Sequence, residues 1–144
     1  MSYDGKWVFH SMGVMNEDFE MVYLNAEDYI SSPMPYVDET DPEAVADELK
    51  ERRQGVATCI EVCGSEFYMM VPLPEGVSQK EVDEAVAAGH IKLRNGMMYD
   101  NVMNCDERDG ELWLEVGEGM SEDGWVKLSN GEYLDFMTMR FVKE

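Results

Sequence analysis

A chain of 144 residues with 31 carboxylates against 11 lysines and arginines carries a net charge of −20. Such a field repels phosphate backbones and anionic lipid surfaces. Its densest basic cluster, Lys50, Arg52 and Arg53, lies inside an acidic segment, so neither nucleic acid nor a membrane is expected as a partner. No stretch reaches the ~18 apolar residues of a membrane-crossing helix, and the length suits one domain over residues 1–144 with a core of its own.

Taken in chain order, the pattern is mainly β. Residues 7–14 and 19–24 read as strands separated by Asn16-Glu17-Asp18. Residues 26–30 suit a single turn of helix, and 31–39, with Pro33 and Pro35, a surface loop. A helix is expected over 42–54, capped by Thr40 or Asp41, with Pro42 in its first turn and Gly55 at its end. Residues 56–62 and 66–71 form the next two strands around Cys63-Gly64-Ser65. Thr58, Ile60 and Val62 alternate with Cys59 and Glu61, as on a sheet with one wet face. The run Phe67-Tyr68-Met69-Met70-Val71 is apolar throughout, which calls for a cover on its outer face, expected to be a helix.

A second helix spans 79–88, with Ser78 and Glu81 as capping box, Val77 and Val82 as staple, and Gly89 as stop. Strands follow at 101–107 and 111–116 about Asp109-Gly110, then at 125–129 and 132–143 about Asn130-Gly131. Asp-Gly and Asn-Gly favour tight hairpins because positive φ is cheap there. Four hairpins in succession describe an up-and-down antiparallel sheet that about eight to ten strands would close into a barrel. The two helices have thin apolar faces and read as peripheral lids.

Catalytic chemistry has little to stand on. His10 and His90 lie in different elements, with no cysteine or histidine at metal-ligand spacing. Nucleophile elbows, phosphate loops and dinucleotide fingerprints are missing from the sequence. The run Asn104–Asp109 departs from EF-hand spacing, with Arg108 at a ligand position, and Glu115, Glu118, Glu122 and Asp123 suit a solvated rim. No catalytic residue, metal ligand or cofactor is therefore assigned. The three cysteines, Cys59, Cys63 and Cys105, argue against a disulfide framework. On one strand Cys59 and Cys63 would stand about 13 Å apart, so free thiols are expected. With no basic n-region or apolar run at its start, the chain reads as cytoplasmic.

Gly5-Lys6-Trp7 opening the first strand and Met139-Arg140-Phe141 in the last resemble the mark of the calycin β-barrels, the lipocalins and fatty-acid-binding proteins. Residues 69–79 and 136–140 are similar to a group of bacterial lipocalin-like proteins. The resemblance implies a closed barrel, with the Arg140 guanidinium lying flat on the Trp7 indole to join the two ends of the chain. The helix placement departs from the fatty-acid-binding proteins, which put both helices between their first two strands. Such barrels often enclose a ligand.

With Trp7 inward, strand parity places Phe9, Ser11 and Gly13 inward. With Arg140 turned to meet it, Leu134, Phe136 and Thr138 share that face. Together with Thr58, Ile60, Val62, Leu112, Leu114 and Val116 they would line an apolar chamber with a few hydroxyls, suited to a small hydrophobic or amphiphilic ligand. Thirteen methionines fit an adaptable lining or an ordinary core. Three readings follow, the last of them an enzyme of unknown type, which predicts a polar pocket holding carboxylates or a histidine of perturbed pKa. A binding protein predicts an open cavity ringed by Phe9, Ile60 and Phe136. An interaction scaffold predicts a barrel filled by its own side chains, meeting a protein partner through its acidic surface, the helix at 42–54 or the loop at Pro33–Pro35.

Overall fold

The computed structural model describes residues 3–144. Twelve strands and three helices follow one another as β1 (Gly5–Met15), β2 (Met21–Leu24), α1 (Ala26–Ile30), α2 (Pro42–Val56), β3 (Cys59–Cys63), β4 (Glu66–Met70), α3 (Gln79–Ala87), β5 (Lys92–Arg94), β6 (Met97–Tyr99), β7 (Met103–Arg108), β8 (Glu111–Glu115), β9 (Trp125–Lys127), β10 (Ser129–Asn130), β11 (Tyr133–Phe136) and β12 (Met139–Lys143). Ten strands form one antiparallel sheet, ordered β10-β11-β12-β1-β3-β4-β7-β8-β9, with β2 added to β1. β5 and β6 form a separate hairpin. No described helix is long and apolar enough to cross a membrane.

The sheet curls into a nearly closed barrel because its two ends are one bent strand. β9 and β10 are separated only by Leu128; β9 pairs with β8, and β10 with β11. At the bend the Leu128 amide donates to the Leu112 carbonyl at 2.9 Å and its carbonyl accepts from the Asp135 amide at 2.8 Å. The first and last strands also meet, with Trp7 opposite Lys143 and Phe9 opposite Phe141.

The turns follow local chemistry. Asp109 and Gly110 both take positive φ, as a type I′ hairpin requires. So do Asn95 and Gly96 between β5 and β6, and Met137 and Thr138 between β11 and β12. The last two hairpins depart from expectation. The run 132–143, read as one strand, folds back on itself at Met137-Thr138, where neither residue favours positive φ. The Gly13 amide grips the Thr138 carbonyl at 2.6 Å, so tertiary pairing holds that turn.

Helix ends obey their caps. Asp41 accepts from the Glu43 and Ala44 amides, and Ser78 from Glu81. α2 runs through Gly55 to Val56, beyond its expected stop. The third helix is the single turn α1, held by an Asn25 side chain that accepts from the Asp28 amide at 2.9 Å.

Inside, Trp7, Ile60, Val62, Phe67, Leu112, Leu114, Leu128, Leu134, Met139 and Phe141 pack into one buried core. The lower end of the barrel is stoppered by the N-terminal segment. Tyr3 stacks on Trp7 with centroids 6.0 Å apart, its hydroxyl donates to the Gly110 carbonyl at 2.6 Å, and Trp7 Nε1 donates to the Tyr3 carbonyl.

The outer face of β3 and β4 is covered as the apolar run requires, but by the β5–β6 hairpin and not by a helix. Tyr68 meets Tyr99 edge to face at 5.4 Å, Arg94 lies 4.0 Å over the Tyr68 ring and pairs with Glu61, and the Cys59 thiol contacts the Met97 sulfur at 3.4 Å. A hairpin suits this surface because its own alternation offers Met97 and Tyr99 together on one side.

Candidate functional site

Four of the residues expected to bind ligand from within the barrel have no access to a cavity. Ile60, Val62, Leu112 and Leu114 are completely buried among core neighbours. Phe9 packs against the same core. Thr58 is buried at the end of α2, its hydroxyl donating to the Gln54 carbonyl at 3.3 Å. Thr138 stands exposed in the β11–β12 turn, its hydroxyl donating to the Met137 carbonyl at 2.5 Å. The expected chamber ringed by Phe9, Ile60 and Phe136 is therefore filled by side chains. Of the expected set Phe136 lines one cleft, while Phe9 and Thr58 border a separate, smaller pocket of about 220 Å³ together with Lys6, Val8 and Met97.

Arg140 corrects a second expectation. It alternates with the inward Met139 and Phe141, so it points outward, opposite Ser11 and well along the barrel from Trp7. Its guanidinium lies 3.8 Å from the centroid of Tyr23 and 5.2 Å from that of Tyr133, with Nε 3.2 Å from Asp135. The cause is a bulge. His10 is the extra residue between Phe9 and Ser11, so parity reverses along β1. Beyond it Met12 turns to the core while Ser11 and Gly13 face out. Trp7 and Arg140 still tie chain ends, but separately: one to Tyr3 at the bottom, the other across β1 to the β2 strand. His10 Nδ1 lies 2.9 Å from Oγ of the buried Ser11 and the imidazole packs on the Tyr133 ring at 4.8 Å, contacts that hold the bulge.

Arg140→Ala is expected to destabilise the fold by about 1–2 kcal/mol, the scale of a half-desolvated cation–π stack plus a half-exposed ion pair. Chemical denaturation measures it. A loss below about 0.3 kcal/mol would show that the Tyr23–Arg140–Tyr133 stack does not hold the β1–β2 hairpin to the barrel.

The opening lies at the upper mouth. Met69 and Val71 at the end of β4, Met98 and Tyr99 of β6, Met103 at the start of β7 and Phe136 at the end of β11 surround a cleft of about 520 Å³. These six are half-buried, and Ile91 and Met137 complete the wall. Polar groups occur only where the cleft meets solvent: His90, Asp100 and Asn101 are all exposed. At the floor, Phe136 meets the core Phe67 edge to face at 5.5 Å. One side is held by reciprocal Val71–Met98 backbone hydrogen bonds of 2.8 Å, which dock the β5–β6 hairpin onto the end of β4. Sequence reasoning missed this hairpin and with it most of the wall. Asn95-Gly96 between the alternating Ile91-Lys92-Leu93-Arg94 and the apolar Met97-Met98-Tyr99 is the signal that could have found it.

The scaffold surfaces are also placed. The loop at Pro33–Pro35 is bound to α2: Arg52, only 2% exposed, donates to the Pro33 carbonyl, and Met34 is buried. Exposed apolar side chains gather instead on the β1–β2 hairpin, at Met15, Phe19 and Met21.

All three cysteines are free thiols. Burial, with Asp4 and Asp106 adding to it, pushes the Cys105 thiol up to about 11 from the ordinary 9.0, and burial raises Cys59 as well. Below pH 9 folded and unfolded chains both hold the Cys105 proton. Above it the unfolded chain releases the proton first, so stability falls until about pH 11. At about 1.4 kcal/mol per pH unit this amounts to roughly 2–3 kcal/mol. Denaturation midpoints of wild type and Cys105→Ala, compared at pH 8 and 10.5, measure it; equal slopes would refute the assignment.

Among the described residues no three His, Cys, Asp or Glu side chains are grouped to hold a metal ion. Comparison with protein-family models, curated proteins and solved structures found no match to this chain.

Proposed function

We propose that the protein is a non-catalytic binder of a small hydrophobic or amphiphilic molecule, and that the ligand lies in the mouth cleft and not in the barrel interior. One observation carries the reading: an apolar cleft of about 520 Å³, walled by half-buried methionines and aromatics, with polar groups confined to its rim. Its size and chemistry are those of small-molecule sites. Methionine side chains can shift to follow a ligand's shape. The barrel and the Gly5-Lys6-Trp7 resemblance support a lipocalin-like binding protein. Three free thiols support a reducing, cytoplasmic setting.

Titration with Nile red, a neutral apolar dye, tests the reading. Saturable 1:1 binding is expected. Met103→Trp, which fills the cleft, should weaken it tenfold or more, equivalent to about 1.4 kcal/mol. Met137→Asp is the second variant, on an exposed turn where folding is not at risk, and should weaken binding in the same direction. Absence of saturable binding, or affinity indifferent to both variants, would refute the cleft as a site. The filled core and the exposed Met15, Phe19 and Met21 support the other reading, an interaction scaffold. On that reading the β1–β2 hairpin, and not the Pro33–Pro35 loop, would meet the partner.

A further inference from the structure

Resting on the cleft as a binding site, we infer that its ligands carry a cationic or neutral head group and that a carboxylate head is rejected. The cleft is amphiphilic in a definite direction. Its wall is apolar, so a chain of methylenes is accommodated inside, and the head group is left at the rim with His90, Asp100 and Asn101. No lysine or arginine lines it. Nor is a guanidinium close at hand to be recruited, because each of the five arginines is already paired with a carboxylate: Arg52 with Glu48, Arg53 with Glu75, Arg94 with Glu61, Arg108 with Asp106 and Arg140 with Asp135. The Lys92 ammonium sits 6.0 Å from the Tyr99 ring centroid and belongs to the hairpin, outside the lining.

A carboxylate head would therefore meet Asp100 with no lysine or arginine in the lining, in a molecule of net charge −20. An ammonium head meets the opposite situation. Asp100 attracts it, the Asn101 side-chain oxygen can accept from a primary ammonium, and the half-buried Tyr99 ring beside Asp100 offers π surface to an alkylammonium group. The site thus suits a long-chain amine or quaternary ammonium, then a long-chain alcohol, and least a fatty acid.

The test is competition against bound Nile red at pH 8 and low salt by three probes of one chain length, all below their micelle concentrations: dodecyltrimethylammonium, dodecan-1-ol and dodecanoate. The expected order is cation, alcohol, carboxylate, with at least tenfold between the first and the last. Asp100→Asn should bring the cation-to-alcohol ratio toward one. Glu132→Gln, which removes the same charge from the turn at the far end of the barrel, should leave that ratio as it is. Dodecanoate binding as tightly as the cation would overturn the head-group inference while leaving the cleft as the site. A preference that disappears in 0.5 M salt yet survives Asp100→Asn would overturn it too, by assigning the effect to the overall charge. Failure of Nile red itself to bind would overturn the underlying reading.

Discussion

Replacing Arg52 with methionine is expected to destabilise the protein by about 3–5 kcal/mol, the range for removing one partner from a buried ion pair. Arg52 holds the α1–α2 side of the molecule together through one guanidinium. Its Nε donates to Glu48 at 3.1 Å; Nη1 donates to the carbonyls of Tyr29, Ile30 and Ser32 at 3.0, 3.2 and 2.8 Å and to the Ser32 hydroxyl; Nη2 donates to the Pro33 carbonyl and the Tyr36 hydroxyl. The Tyr29 ring lies 5.3 Å from the guanidinium carbon, and Tyr36 in turn donates to Glu48.

Methionine fills similar volume but removes the guanidinium donor from four carbonyls and a carboxylate, of which the Tyr29 carbonyl keeps the Ser32 amide and hydroxyl and Glu48 keeps the Tyr36 hydroxyl. Each buried group so abandoned costs about 1–3 kcal/mol unless water reaches it. Lysine should not rescue the site, since an ammonium has three donors on a point charge and cannot span a planar fan of carbonyls. Urea unfolding gives the answer. With a slope of about 2 kcal/mol per molar, the midpoint should fall by about 1.5–2.5 M, and amide exchange over residues 26–36 should accelerate first. A change under 1 kcal/mol would mean that water satisfies the carbonyls and that the clasp contributes little.

Phe141→Ala should cost a similar 3–5 kcal/mol by a different route, the cavity left in a close-packed core. Phe141 is completely buried, faces Phe9 on β1 and Leu134 on β11, and lies where the first and last strands close the barrel. Its loss weakens closure itself, so the denaturation midpoint should drop while Phe141→Leu, which retains most of the volume, loses only about 1–1.5 kcal/mol. A Phe141→Ala loss below about 1.5 kcal/mol would indicate that the interior is loosely packed and can collapse around the gap. That result would also reopen the barrel interior as a place for ligand.

These two sites differ in how far the sequence exposes them. The inward face of β12 follows from alternation, since Met139 and Phe141 are apolar on either side of a cation. The same alternation should have placed Arg140 outside, and the resemblance to calycin barrels pulled the expectation the other way. Arg52 offered no signal at all: in an acidic helix it reads as one more surface charge, and its carbonyl partners lie some twenty residues earlier in the chain. The cleft was legible in part. Phe136 follows from strand parity, and Met69 and Val71 belong to the apolar run that calls for a cover. Met98, Tyr99 and Met103 do not follow, because the short β5–β6 hairpin that gathers the wall is not legible from alternation alone.

By itself the sequence determined the β class, the antiparallel order of its hairpins and the helix caps. Asp109-Gly110 makes its turn, and Asn25, Asp41 and Ser78 begin their helices, because positive φ and cap hydrogen bonds are settled within three or four residues. What only the tertiary structure decided is which way the side chains face after a register break, and what covers what. One extra residue at His10 reverses the parity of β1, and a turn at Met137-Thr138 divides the last strand. Neither carries a local preference strong enough to be read. Each exists because pairing with distant strands outweighs a modest backbone cost, and that balance is struck between residues more than a hundred positions apart, as in the hydrogen bond from Gly13 to Thr138.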